Sequence, residues 1–152
     1  YALPDGMIDP ETNVVPVSGT REALFMIALA AVPERKAGRQ PAVLMPNPFY
    51  QVYAGAAVLA GAEPVFLPAT AETGFLPDLA AVDDDVLART ALVYYCSPAN
   101  PQGAIADLET LKSLVRLARR SPRGADRAPM ADRGDRPLYP LGRGDRGGDR
   151  GR

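Results

Sequence analysis

At 152 residues the chain has room for one ordinary domain and not for two full ones. Apolar residues reach 47%, enough to bury a core, and a net charge of -1 offers nothing to a polyanion, so no nucleic-acid partner is expected. Histidine is absent, which excludes Ser-His-Asp and Cys-His triads and His-built zinc sites; the lone Cys96 closes no internal disulfide. No apolar run approaches the roughly 20 residues of a membrane helix, so no membrane partner is expected. The chain opens on Tyr1 with no signal peptide visible. The reading is a soluble, cytoplasmic protein whose own start lies upstream.

Val14, Val15 and Val17 form a short β-branched run, broken by Pro16 and ending at Ser18-Gly19. Thr20 is placed as the cap of a helix running to about Val32. A polar connection, Pro33 to Pro41, leads to a short apolar strand, Ala42 to Met45, which Pro46 and Pro48 should stop. Tyr50 to Ala60 reads as a small-residue helix closed by Gly61, and Pro64 to Leu67 as the next strand. Leu79 to Leu87 holds a short helix. Ala91 to Cys96 is a continuous apolar run of the kind buried on both faces of a parallel sheet. Asp107 caps the clearest helix, with Leu108, Leu111, Leu114, Val115 and Ala118 on one face and Lys112 and Arg116 on the other. The alternation predicts an α/β layered fold with a largely parallel sheet.

Composition then changes sharply. From Ser121 to Arg152, 24 of 32 residues are Arg, Gly, Asp or Pro, and none is Val, Ile, Phe or Trp. Such a segment buries too little apolar surface to offset its ordering entropy, so it is expected to be disordered. The organisation expected is therefore residues 1–120 as a globular part and residues 121–152 as a tail. That tail is either a genuine extension or the product of a shifted reading frame in a GC-rich gene.

Three segments carry chemistry. Ser18-Gly19-Thr20-Arg21 lies between a β-branched run and a helix, where unpaired N–H groups, close approach at Gly19 and the helix dipole favour an anion such as phosphate. Asn47-Pro48-Phe49-Tyr50-Gln51-Val52-Tyr53 follows the second strand and sets aromatics in a Pro-rich loop, suited to a flat heteroaromatic ring or simply to the core. Ser97-Pro98-Ala99-Asn100-Pro101-Gln102-Gly103 forms a rigid turn that would fix the Asn100 amide as a donor.

In order and spacing these segments resemble fold-type I pyridoxal-phosphate enzymes, specifically the class I/II aminotransferases. The resemblance implies part of that family's large domain, a three-layer α/β/α body with a mainly parallel sheet, and pyridoxal 5'-phosphate as cofactor. It implies Gly19, Thr20 and Arg21 at the cofactor phosphate, Tyr50 stacked on the pyridine ring, and Asn100 donating to the ring hydroxyl. The strings from Pro16 to Phe25, Asn47 to Tyr53 and Gly55 to Ala62 look like succinyldiaminopimelate aminotransferases. That implies amino transfer between N-succinyl-diaminopimelate and 2-oxoglutarate in lysine synthesis, small-molecule amino-acid and 2-oxo-acid partners, and a homodimeric parent.

The family also needs a lysine linked to the cofactor, an acidic partner for the pyridinium nitrogen and arginines for substrate carboxylates. The two lysines here, Lys36 and Lys112, stand in no such motif and read as solvated surface residues. No catalytic residue is assigned, and no turnover is expected from this chain. Two other readings stay open. One is another class I/II aminotransferase of the aspartate, aromatic or alanine type. The other is a non-enzymatic interaction fragment using the Arg/Gly tail, whose eight Arg are offset by five Asp. The Asp83-Asp84-Asp85 run is read as a solvated loop rather than a metal site.

Overall fold

Three parallel strands in the order β2-β1-β3 organise the chain, with β1 (Ala42–Asn47) between β2 (Glu63–Pro68) and β3 (Thr90–Val93). The computed structural model describes residues 3–120; the expectations for the tail from Ser121 onward lie outside them. Ahead of the sheet come α1 (Pro10–Asn13) and α2 (Thr20–Ala31); α3 (Gln51–Leu59) joins β1 to β2, and α4 (Asp84–Arg89) precedes β3. A 3-10 turn (Ala71–Thr73) lies between β2 and α4, and α5 (Leu108–Arg120) closes the described chain.

Alternating side chains of β1 feed two cores. Val43 and Met45 face α2 and α3, packing with Ala28, Val32, Tyr53, Ala56, Ala57, Ala62 and Tyr94. Leu44 faces the other way, against Leu67 and Val82 with Leu79, Val86 and Leu87 around them. The helices thus cover both sheet faces, the α/β/α layering expected. Small residues let α2 and α3 approach closely, since Ala28, Ala56 and Ala57 are all fully buried.

Several local expectations need correction. Val14, Val15 and Val17 form no strand: α1 stands just before them and all three are exposed, Val15 at 78%. A β-branched run needs a neighbouring strand to satisfy its backbone, and Pro16 offers no N–H. Thr20 is not the cap of α2 but its first residue; Gly19 caps it. Strand β3 stops at Val93 and its residues beyond Thr90 are only half-buried, so Ala91 to Cys96 is neither a full strand nor covered on both faces. The helix placed over Leu79 to Leu87 begins only at Asp84. Asp84 and Asp85 occupy its first turn, where carboxylates suit the helix dipole, so this acidic run starts a helix rather than forming a loop.

Pro46 does not end β1 but lies inside it, in register with Leu67 of β2. In a parallel ladder a residue directs its N–H and C=O to the same side, and residues two apart share that side. Leu44 accepts from Tyr94 N at 2.9 Å, so Leu44 and Pro46 both face β3. The next rung would need an N–H on Pro46, which has none. The β1–β3 ladder ends there, and the two strands part towards their carboxyl ends.

Other boundaries follow their sequence signals. Gly61, at φ 78°, closes α3, with Gly61 N donating to Val58 O and Ala62 N to Ala57 O. Asp107 caps α5 as expected, accepting from Thr110 N at 2.8 Å. The apolar stripe of α5, including Leu108, Leu111 and Val115, is uncovered by the described residues.

Candidate cofactor site

All three strands run the same way, so the loops after β1 and β3 leave the sheet at one end. The chain steps from β1 outward to β2 and then back across β1 to β3, a change of direction of the kind at which open α/β sheets bind ligands beyond the carboxyl ends of their strands. Asn47 to Tyr50 leaves the first of these strands and Tyr94 to Gly103 the second.

Gly19 caps α2 with no side-chain hydrogen bond, and the first intrahelical bond is Ala23 N to Gly19 O at 3.0 Å. The N–H groups of Thr20, Arg21 and Glu22 therefore lack intrahelical acceptors and lie at the positive end of the dipole. A Cβ built on Gly19 would lie 2.5 Å from Glu22 Oε2, so a carboxylate oxygen already rests against this turn. A larger residue at Gly19 would displace it.

Tyr50 caps α3 in extended conformation and is the meeting point of two segments. Arg21 Nε donates to Tyr50 Oη at 2.7 Å, with Cζ 5.7 Å from the ring centroid. The bond raises the pKa of Arg21, which stays a cation. Tyr50 also meets Tyr53 at near right angles, with centroids 5.8 Å apart. Behind them Tyr53 stacks on Tyr94, whose hydroxyl donates to Leu24 O at 2.6 Å. Burial pushes the Tyr53 and Tyr94 phenols up, with Cys96 adding to the effect at Tyr53, so both hold their protons at neutral pH.

Asn100 is exposed in a turn closed by Gly103 N to Ala99 O at 2.6 Å and Ala99 N to Ala104 O at 2.7 Å. Of the five residues singled out in the sequence, Gly19, Thr20 and Arg21 share one helix start and Arg21 touches Tyr50. Asn100 stands apart in its own turn, without a hydrogen bond to the other four. Tyr53 and Tyr94 carry no assigned role in the sequence reading. Their only signals are the three-residue spacing from Tyr50 and a place at the end of β3.

Neither lysine reaches this end of the sheet. Lys36 is not the solvated residue expected: its Nζ donates to the carbonyl of Thr90, at the opposite end of β3, and burial lowers its pKa. Lys112 is surface-exposed and pairs with Glu109 at 2.8 Å. Cys96 does not end a buried strand but lies beyond β3, half-buried, with its Sγ donating to Pro98 O at 3.0 Å. Among the described residues no group of acidic, Cys or His side chains is arranged to hold a metal, and no helix is long and apolar enough to cross a membrane.

The structure is a parallel α/β sheet whose carboxyl edge carries a helix start without a side-chain cap and a cluster of tyrosine rings. The family described as aminotransferase class I and II matches residues 5–123, and the chain belongs to it. The LL-diaminopimelate aminotransferase of Moorella thermoacetica is 40% identical over 112 residues, covering 74% of this chain and 27% of that protein. That of Desulforudis audaxviator is 38% identical over a similar span, 74% and 27%. Among solved structures, an aminotransferase from Neisseria meningitidis superposes with TM-score 0.68 at 39% identity, covering 74% of this chain and 28% of that one. An alanine aminotransferase from Pyrococcus furiosus does so with TM-score 0.56 at 28% identity, covering 66% and 24%. The chain thus spans about a quarter of the length of the relatives it matches. The family depends on pyridoxal phosphate, and the residues here fit that group: a helix start with free N–H groups and no side-chain cap, and a tyrosine ring joined to it through Arg21.

Proposed function

We propose that residues 1–120 are part of the cofactor-binding large domain of an aminotransferase. Gly19, Thr20 and Arg21 receive the phosphate of pyridoxal phosphate, Tyr50 lies against its ring, and Asn100 donates to its ring hydroxyl. The observation that carries this is the 2.7 Å contact from Arg21 to Tyr50, which joins the start of α2 to an aromatic ring. When bound, the cofactor supplies an electron sink for amino transfer. This chain's own residues hold the phosphate by backbone N–H groups and dipole, and Tyr50 sets the plane of the ring.

For the parent enzyme we infer a homodimer that moves an amino group between a diaminopimelate and 2-oxoglutarate. The relatives at 40% and 38% identity are named for LL-diaminopimelate, whereas the sequence strings suggested its N-succinyl derivative. Substrate class is therefore proposed as diaminopimelate, with or without the succinyl group. Lys36 is held at the far end of the sheet and Lys112 at the surface, so this polypeptide binds cofactor without a covalent link and does not turn over.

Equilibrium dialysis of the 152-residue chain against pyridoxal phosphate tests this. Saturable binding, competed by inorganic phosphate and weakened about tenfold by Tyr50→Ala, is expected. Binding indifferent to Tyr50→Ala and Asn100→Ala would remove the assignment. Glutamate formed from either diaminopimelate and 2-oxoglutarate by the purified chain would contradict the absence of turnover.

A further inference from the structure

Tyr50 is held at two places. The ring meets that of Tyr53 at near right angles with centroids 5.8 Å apart, and Tyr53 is itself 6% exposed and stacked. The hydroxyl at the far tip accepts from Arg21 Nε. A ring held by one neighbouring ring alone can still rock and flip, whereas a second contact at its hydroxyl limits both motions. The contact uses Nε, the guanidinium nitrogen nearest the stem, and it brings the planar fork beside the ring, with Cζ 5.7 Å from the centroid. A lysine would offer only a mobile ammonium at the end of a longer flexible stem.

Arg21 is also the second residue of α2, so its own backbone N–H belongs to the anion-binding turn. One residue thus contributes to the phosphate end through its main chain and to the ring end through its side chain. We propose that Arg21 is a positioning residue, which fixes the Tyr50 ring in the plane that receives the cofactor ring by holding the Tyr50 hydroxyl. This rests on the reading that the cofactor lies against Tyr50. It goes beyond that reading in giving the Arg21 side chain a task other than charge attraction for phosphate.

Charge and geometry make different predictions. Were the Arg21 side chain acting only as a cation near the phosphate, Arg21→Lys would preserve affinity, Tyr50→Phe would be nearly silent, and losses in the double variant would add. Acting through the hydroxyl, Arg21→Lys and Arg21→Gln behave alike and Tyr50→Phe matches them. The double variant is then no worse than either single change.

The experiment uses the 152-residue chain with labelled tyrosine rings and arginine side chains, read by NMR and then titrated with pyridoxal phosphate. In the unliganded protein the Arg21 Nε–H should be protected from solvent exchange, and lose that protection in Tyr50→Phe. In Arg21→Lys and Arg21→Gln the Tyr50 ring signals should move towards those of a freely averaging tyrosine. Unchanged Tyr53 and Tyr94 signals would show that the fold persists. Affinity for pyridoxal phosphate should fall about fivefold in each single variant, without further loss in the double. Full affinity in Arg21→Lys, additive losses, or an Arg21 Nε–H indifferent to Tyr50→Phe would overturn the proposal. If the unaltered chain binds no pyridoxal phosphate the cofactor reading falls, while the ring and Nε–H signals still decide whether Arg21 holds Tyr50.

Discussion

The rings of Tyr53 and Tyr94 lie face to face, with centroids 4.2 Å apart and planes 11° from parallel. Tyr53 comes from the first turn of α3 and Tyr94 from the residue after β3, and the Tyr94 hydroxyl reaches on to Leu24 O in α2. Three elements on one side of the sheet are thereby tied together, next to the ring of Tyr50.

Removing parts of this tie should have graded effects. Tyr94→Phe keeps the stack but leaves the Leu24 carbonyl without this partner, costing about 1 kcal/mol. Tyr94→Ala also removes a large buried ring and should cost about 3–5 kcal/mol. Urea unfolding of the two variants measures both. Equal costs would mean that the hydroxyl, not the ring, holds these elements.

Two positions in left-handed backbone should respond with opposite sign. Ala37, at φ 51°, and Gly38, at φ 73°, form the tip of a tight turn in which Lys36 and Arg39 exchange backbone hydrogen bonds at 3.0 and 3.1 Å. Alanine is poorly suited to that conformation, so Ala37→Gly should raise stability by up to about 1 kcal/mol. Gly61→Ala, with φ at 78° and open space around it, should lower stability by about 1–2 kcal/mol through backbone strain alone. Thermal melts of the pair decide it: shifts of the same sign would contradict the assignment.

Packing between α2 and α3 depends on side chains that end at Cβ. Ala57 is fully buried in the core that the two helices share with β1, so Ala57→Leu should overpack it and cost about 1–3 kcal/mol. The same change at exposed Val58 should be nearly silent. Comparable losses at both sites in a denaturant series would argue against close approach of the two helices.

Asp107 gives a pH signature. The backbone hydrogen bond from Thr110 and other local donors hold its carboxyl below the usual range. A carboxyl whose folded pKa is depressed contributes stability above its unfolded value, near 3.9, and loses it as pH falls through the lower folded value. Circular dichroism should show α5 fraying over that acid window. Asp107→Asn, which keeps an acceptor but does not titrate, should flatten the Asp107 contribution.

Much of the fold was legible because its signals are local. Gly61 closes α3, Asp107 caps α5 and the apolar runs give β1 and β2, since each depends on backbone chemistry within a few residues. What escaped depended on neighbours. Val14 to Val17 has the composition of a strand but no pairing partner among the described residues. Pro46 looked like a stop, yet its missing N–H falls on the β3 side, so it ends the ladder to β3 and leaves β1 to run on beside β2. In the site, the helix-start residues and Tyr50 follow from motif order. The Arg21–Tyr50 bond spans 29 residues and the Tyr94–Leu24 bond 70, distances that no local pattern encodes.

Pro46 has a wider consequence. A ladder that kept zipping would draw Tyr94 and the turn beyond it flush against Asn47 and Pro48, and close the seam between β1 and β3. The seam is instead left open by one absent hydrogen in the covalent structure of the chain. An opening made in this way needs no moving lid to maintain it, and no folding energy is spent on breaking a bond that could otherwise have formed.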